Sequence, residues 1–97
     1  MQKKIYIAGK ITGDPDYKAK FDSAAKKYSD KGYVVLSPAA MPEGMSRADY
    51  MRICLAMIDT ADVVAFLAGF RESAGAMIEY DYCNYTEKEI AEEEYTC

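Results

Sequence analysis

Short apolar runs alternate with longer amphipathic segments along this chain of 97 residues, and the alternation constrains the fold more than any other feature. Three runs rich in Ile, Val, Tyr and Phe have the length and composition of buried strands. They span residues 4–8, 33–36 and 63–67. Glycine, or serine followed by proline, comes after each run and marks its end. The sequence therefore predicts three strands.

The segments between and after these strands have the apolar spacing of helices. The predicted helices span residues 15–31, 46–59 and 73–85. In the first, Phe21, Ala24 and Tyr28 lie on one face, among lysines at other positions. At the start of the second, Ser46 is followed three residues later by Asp49, a pattern typical of a capping box. Strands and helices thus follow one another in turn.

Strands that alternate with helices pair in parallel through right-handed crossovers. We therefore predict an α/β fold, a three-layer sandwich with a small parallel sheet in the order 2-1-3, as in flavodoxin-like and Rossmann-like folds. Ligands of such folds bind beyond the carboxyl ends of the strands, where the strand order reverses. Residues 9–13, 37–44 and 68–73 follow the three strands, and we expect these loops to form one site.

The end of the chain is more acidic than the rest. Residues 87–94 carry five glutamates and one lysine, whereas residues 1–86 carry eleven acidic and eleven basic side chains. We predict one domain over residues 1–86, truncated at its C-terminus, and an acidic C-terminal extension over residues 87–97. An edge strand, a helical extension and a frayed end all fit the composition of this extension.

Composition argues against several classes of protein. A formal net charge of −4 without a basic face gives little attraction for a nucleic-acid polymer. No segment approaches the roughly 20 apolar residues of a membrane span, and the first residues lack a signal-peptide pattern. Three cysteines without a histidine fit neither a disulfide framework nor a zinc site. We expect reduced thiols in a cytoplasmic protein, and a homodimer or higher homo-oligomer because so small a domain buries a modest core.

Glu79 is a carboxylate in the middle of the otherwise apolar third helix. Helical side chains lean over the positions three and four residues earlier, here Ala76 and Gly75. Both are small, so the carboxylate would stand over an open floor near the preceding loop; an ordinary exposed position fits the spacing as well. Ser73 is expected to cap the helix, a role compatible with phosphate binding by free amides and nearby Arg71.

The loop after the first strand is a second candidate for binding an anion. It is bounded by Gly9 and Gly13 and contains Lys10 and Thr12. Its spacing matches neither a Walker loop nor a dinucleotide fingerprint. We therefore predict neither of the two nucleotide cofactors that those motifs bind.

Three short motifs occur in order along the chain. They are Tyr6-Ile7-Ala8-Gly9, Ile58-Asp59-Thr60-Ala61-Asp62-Val63-Val64 and Ser73-x-Gly75-x-x-x-Glu79. Together they resemble the nucleoside 2-deoxyribosyltransferase superfamily, over about residues 3–83. Within it, the chain is most similar to a small domain family of unknown function that is common in phage and prophage genomes.

This resemblance implies an N-glycosidase or deoxyribosyltransferase that acts on a (deoxy)nucleoside 5′-monophosphate. Glu79 would attack the anomeric carbon and expel the base, and water or a new base would resolve the glycosyl ester. Tyr6 would orient the carboxylate. Ser73 favours a 5′-phosphate, because the transferases have an aspartate there and the monophosphate N-hydrolases a serine. We expect Gly75 and the residue 9–13 loop to help hold the small-molecule nucleotide, with no metal and no cofactor.

Cys54 departs from the superfamily pattern. The usual residue, eight positions before Asp62, is an aspartate that contacts the substrate and assists departure of the base. A thiol is a weak hydrogen-bond donor, and general acid catalysis contributes about 10²- to 10⁴-fold in rate. Asp49 and Asp59 are candidate replacements. The alternative hypothesis is a catalytically weak or inactive nucleotide-binding module, a sensor or a phage-related accessory protein.

Overall fold

The computed structural model describes residues 2–93, in which strands and helices alternate as predicted. The elements are β1 (Lys4–Ala8), α1 (Tyr17–Asp30), β2 (Val34–Leu36), α2 (Arg47–Thr60), β3 (Val63–Phe66), α3 (Ala74–Tyr85) and β4 (Glu89–Glu92), with 3-10 turns at Pro38–Ala40 and Phe70–Glu72. Across this described range, no helix has the length and apolar character needed to cross a bilayer. The predictions for residues 94–97, including a reduced thiol at Cys97, lie outside the described residues.

The four strands form one parallel sheet in the order β2-β1-β3-β4. The predicted α/β class and the predicted 2-1-3 order are confirmed, with β4 added beside β3. The strand order reverses next to β1, because the chain passes from β1 outward to β2 and then returns to β3 on the other side. The carboxyl ends of β1 and β3 therefore border the crevice expected for ligands.

Helices cover both faces of the sheet, which gives the predicted three layers. Alternate residues of β1 point to opposite faces. Ile5 and Ile7 pack in one core cluster with α1, whereas Tyr6 and Ala8 pack in another with α2 and α3. The second cluster also contains Cys54, Ile58, Val64, Phe66, Ala76 and Cys83. Tyr6 therefore extends from the central strand toward the two helices that follow the crevice loops.

Part of the predicted acidic extension belongs to the sheet. Glu89–Glu92 pairs in parallel with β3 as an edge strand, one of the three conformations that the composition left open. Arg71 forms an ion pair with Glu92 at 2.8 Å, and the hydroxyl of Tyr28 donates to Glu93 at 2.8 Å. These contacts, together with backbone pairing to β3, hold the polar strand β4 at the edge of the sheet, where it has a neighbouring strand on one side.

Gly9 occurs where β1 passes close to its neighbours. A Cβ atom at Gly9 would lie 3.2 Å from Cβ of Leu67 and 3.3 Å from Cζ of Phe21, both buried. At Gly75, by contrast, the nearest atoms would lie 3.9 Å away, at ordinary contact distance. The close approach at the end of β1 therefore depends on a residue without a side chain.

The two glycines are expected to respond in opposite ways to substitution by alanine. Gly9→Ala should lower the free energy of unfolding by about 1–2 kcal/mol, because the methyl group overpacks a rigid core. Gly75→Ala should leave it unchanged or raise it by up to about 1 kcal/mol, because alanine favours the helix. Urea denaturation measures both. A Gly9→Ala protein at least as stable as the wild type would show that the core accommodates a methyl group at residue 9.

Candidate active site

A cavity of about 900 Å³ opens at the carboxyl ends of the central strands. The loops after β1, β2 and β3 meet there with the first turns of α2 and α3. Each loop contributes lining residues, among them Gly9, Met41 and Ser73. The three loops expected to converge therefore do so.

Glu79 lies at the floor of this cavity and is hydrogen-bonded to Tyr6. The Tyr6 hydroxyl donates to the carboxylate, 3.3 Å from Oε1 and 3.2 Å from Oε2. Tyr6 is 0% exposed and Glu79 is 7% exposed. The alternative that Glu79 is an ordinary exposed surface residue, which the helical spacing left open, is therefore wrong. The small residues Gly75 and Ala76, on the preceding turn, leave the carboxylate accessible from the cavity.

Burial sets the protonation states of Glu79, Cys54 and Tyr6. It raises the pKa of Glu79 to about 7, and the hydrogen bonds from Tyr6 and Cys54 only partly oppose this. Burial also raises the pKa of Cys54 to about 11 and that of Tyr6 well above its ordinary value. Near neutral pH the phenol and the thiol are therefore protonated donors beside a carboxylate that ionises within the physiological range.

The raised pKa of Glu79 predicts a pH-dependent effect of Glu79→Gln on stability. In the unfolded chain a glutamate titrates near its ordinary pKa of about 4.3. Between that value and about 7 the folded protein binds the extra proton, so stability is lost as pH rises through this window. Glu79→Gln removes the titration. It should match the wild type near pH 4 and be more stable by up to about 3 kcal/mol near pH 9.

Urea denaturation across this pH range measures that difference. Asp81→Asn is the matched control, because Asp81 is exposed on the same helix and does not line the cavity. A stability difference between Glu79→Gln and the wild type that stays constant with pH would contradict the assigned environment of Glu79.

Most of the predicted site residues line the cavity. They are Tyr6, Gly9, Thr12, Cys54, Ser73, Gly75 and Glu79. Lys10 and Gly13 do not. The Lys10 side chain lies over Gly13, with Cε 3.9 Å from the place of a Cβ there. The first loop thus contributes Gly9, Ile11 and Thr12 to the lining of the cavity, but not its lysine.

Ser73 caps α3 and also lines the cavity. Its hydroxyl oxygen accepts a hydrogen bond from the amide of Ala76 at 3.2 Å. Arg71, which the sequence suggested as a nearby anion-binding group, does not line the cavity. Its guanidinium pairs with Glu92 and packs against the ring of Tyr80 at 5.1 Å. The start of α3 therefore faces the cavity without Arg71.

Cys54 lies on α2 beside the buried carboxylate. It is 5% exposed, lines the cavity and interacts with both Tyr6 and Glu79. Neither candidate replacement for the superfamily acid lines the cavity. Asp49 forms the capping box at the start of α2, and Asp59 accepts a hydrogen bond from Tyr82 at 2.7 Å. A neutral thiol therefore occupies the place where an acid was expected.

The sequence matches the family described as Domain of unknown function (DUF4406) over residues 3–92. The chain belongs to this family. A search of curated proteins gives no significant match. The predicted membership of a domain family of unknown function is confirmed, whereas the link to phage genomes stays a prediction.

A solved structure with a similar fold is a 2-deoxyribosyltransferase from the psychrotolerant bacterium Bacillus psychrosaccharolyticus. The two structures superpose with a TM-score of 0.76 at 21% sequence identity, and the match covers 94% of this chain and 72% of the other. That enzyme is described as a biocatalyst for the synthesis of antiviral and antitumoral nucleosides. At this identity the comparison shows that the DUF4406 domain has a 2-deoxyribosyltransferase-like fold.

Several residues that line the cavity of the DUF4406 domain were not predicted from the sequence. Apolar and aromatic side chains form much of the wall, including Ile11, Tyr17, Met41, Tyr50, Met51 and Ile78. Three charged residues also line it, Glu43, Arg47 and Glu72. One signal was available: Arg47 directly follows the predicted cap Ser46, in the first turn of the helix that comes after the loop of residues 37–44.

Proposed function

We propose that this domain is an N-glycosidase or deoxyribosyltransferase that acts on a (deoxy)nucleoside 5′-monophosphate, with Glu79 as the nucleophile. One observation carries the proposal: a buried carboxylate, hydrogen-bonded to a buried tyrosine, lies at the floor of a large cavity. Burying a carboxylate is unfavourable for folding, and such groups are concentrated at functional sites. A cavity of about 900 Å³ is large enough for a nucleotide.

In the proposed reaction an oxygen of Glu79 forms a bond to the anomeric carbon. The carbon–nitrogen bond to the base breaks, and its electron pair leaves with the base, which takes a proton from solvent. Water or a second base then attacks the same carbon, loses a proton to solvent and displaces the carboxylate. Two displacements give net retention of configuration. The hydroxyl of Tyr6 holds Glu79 in one orientation during both steps.

The remaining cavity residues support a nucleotide as the ligand. Ser73 and the amides at the start of α3 suit a phosphate, and the hydroxyl of Thr12 borders the same space. Met41, Met51 and other apolar side chains offer a surface for a base. We therefore assign the phosphate to the α3 end of the cavity and the base to the apolar wall.

A binding module is the second candidate, and Cys54 favours it. With a pKa raised to about 11, its thiol stays protonated near neutral pH and donates only weakly. The loss of an acid at this position costs about 10²- to 10⁴-fold in rate. In this alternative the domain binds a nucleotide as a sensor or accessory protein, with phage and host conflict as the proposed setting.

We further propose a cytoplasmic homodimer or larger homo-oligomer. Ile53 on α2 and Ile78 on α3 are 40% and 53% exposed, and Ile78 also lines the cavity. Association would remove such exposed apolar side chains from water. Size-exclusion chromatography with light scattering tests this, and a monomer at all concentrations would contradict it.

The proposed function is tested by incubation with a panel of ribo- and deoxyribonucleosides and their 5′-monophosphates. Chromatography quantifies the released base, and thermal denaturation reports binding. We expect base release from at least one deoxynucleoside 5′-monophosphate. A thermal shift without base release would favour the binding module. If no compound releases base and no compound shifts the thermal denaturation, both candidate functions are rejected.

A further inference from the structure

Arg47 differs from the other two arginines in its surroundings. Arg52 forms an ion pair with Asp49 at 3.1 Å, and Arg71 forms one with Glu92 at 2.8 Å. Within residues 2–93, Arg47 has neither an ion pair nor a hydrogen bond from its side chain, and it is the only basic residue that lines the large cavity. Arg47, whose side chain has no protein partner among these residues, thus borders the proposed active site.

The position of Arg47 gives it no evident structural role. It is the first residue of α2, directly after the cap Ser46. The amino end of a helix carries a partial positive charge, which makes a cation there mildly unfavourable. The side chain is also exposed. Arg47 therefore has no protein partner within residues 2–93 and is free to contact a ligand in the cavity that it lines.

The neighbouring charges indicate how that ligand would be recognised. The carboxylates Glu43, Glu72 and Glu79 also line the cavity, so Arg47 is outnumbered there by acidic residues. An anion must instead be bound by direct contact. The start of α3, capped by Ser73, borders the same cavity and offers amide donors. A guanidinium adds a planar pair of donors that matches two oxygens of a phosphate.

We propose that Arg47 is a specificity-determining residue that binds the 5′-phosphate and makes the site select a nucleoside 5′-monophosphate over the free nucleoside. This inference rests on the proposed function, because it assumes that a nucleotide occupies the cavity. It attributes the selection of the monophosphate over the free nucleoside to a residue of α2, not to the glycine-bounded loop after β1. The lysine of that loop, Lys10, does not line the cavity.

Isothermal titration calorimetry in the Glu79→Gln background tests this inference, since slow turnover keeps the ligand intact. The probes are a deoxynucleoside 5′-monophosphate and the corresponding deoxynucleoside. Arg47→Ala should weaken binding of the monophosphate by about 10- to 100-fold and leave binding of the nucleoside unchanged. Arg52→Ala is the matched control, because Arg52 lies on the same helix outside the cavity, and it should change neither affinity.

The outcomes separate this inference from the proposed function. If the Glu79→Gln protein binds the monophosphate and Arg47→Ala does not weaken that binding, or weakens both ligands equally, the role of Arg47 is wrong and the proposed function stands. If the Glu79→Gln and wild-type proteins bind neither probe, the proposed function fails and the inference fails with it. Circular dichroism and urea denaturation verify that each variant is folded.

Discussion

The Glu79→Gln variant is expected to release free base at least about 10³-fold more slowly than the wild type. An amide can accept a hydrogen bond from Tyr6 as the carboxylate does, so the cavity keeps its shape. It cannot form the glycosyl ester on which the proposed reaction depends. Chromatographic base release measures the loss. Asp81→Asn, on the same helix outside the cavity, should retain the wild-type rate.

The pH dependence of base release by the wild type tests the role of Glu79 independently. Burial raises the pKa of Glu79 to about 7, so the nucleophilic form is a minority below that pH. The rate under subsaturating substrate should rise about tenfold per pH unit below 7 and become level above it. Base release that survives Glu79→Gln, or that is independent of pH between about 5 and 8, would remove Glu79 from the mechanism.

The Cys54→Asp variant is expected to release base about 10²- to 10⁴-fold faster than the wild type. The substitution introduces a carboxyl group at the position where the resemblance described in the sequence analysis led us to expect one. In the structure this group would adjoin Glu79, and two close carboxylates do not both ionise readily. One of the pair would therefore stay protonated at neutral pH, in position to donate a proton to the departing base.

Cys54→Asn is the matched control, because it has a similar shape and cannot act as an acid. It should show the wild-type rate or less. Steady-state base release is measured for both variants, and nucleotide binding verifies that each cavity is intact. If Cys54→Asp binds nucleotide and its rate does not rise, then a missing acid is not what limits catalysis in this domain.

The strands and helices were predictable where the apolar pattern was strong. β1 and β3 are buried on both faces, and their continuous apolar runs mark them within about one residue. The conformation of Glu89–Glu92, which forms β4, was left undecided because this segment has the composition of a solvated one. Its place in the sheet depends on pairing with β3 and on contacts such as Arg71 with Glu92, which join residues distant in sequence.

The site was predictable in part. The loops could be assigned from the strand order, but the direction of each side chain could not. Lys10 lies in the expected loop but does not line the cavity, which the spacing of glycines did not indicate. The contact between Tyr6 and Glu79 joins residues 73 positions apart, and only the resemblance to a known family suggested it. Helical spacing alone left Glu79 free to be exposed.

Peptide mapping by mass spectrometry tests most directly whether Glu79 forms a covalent bond to the sugar. The wild-type protein is mixed with the deoxynucleoside 5′-monophosphate that releases base, quenched with acid within a single turnover, and digested. We expect a deoxyribose 5-phosphate adduct on the peptide that contains Glu79, and none in the Glu79→Gln protein. Base release at the wild-type rate without an adduct on that peptide, or an adduct on another residue, would contradict a role for Glu79 as the nucleophile.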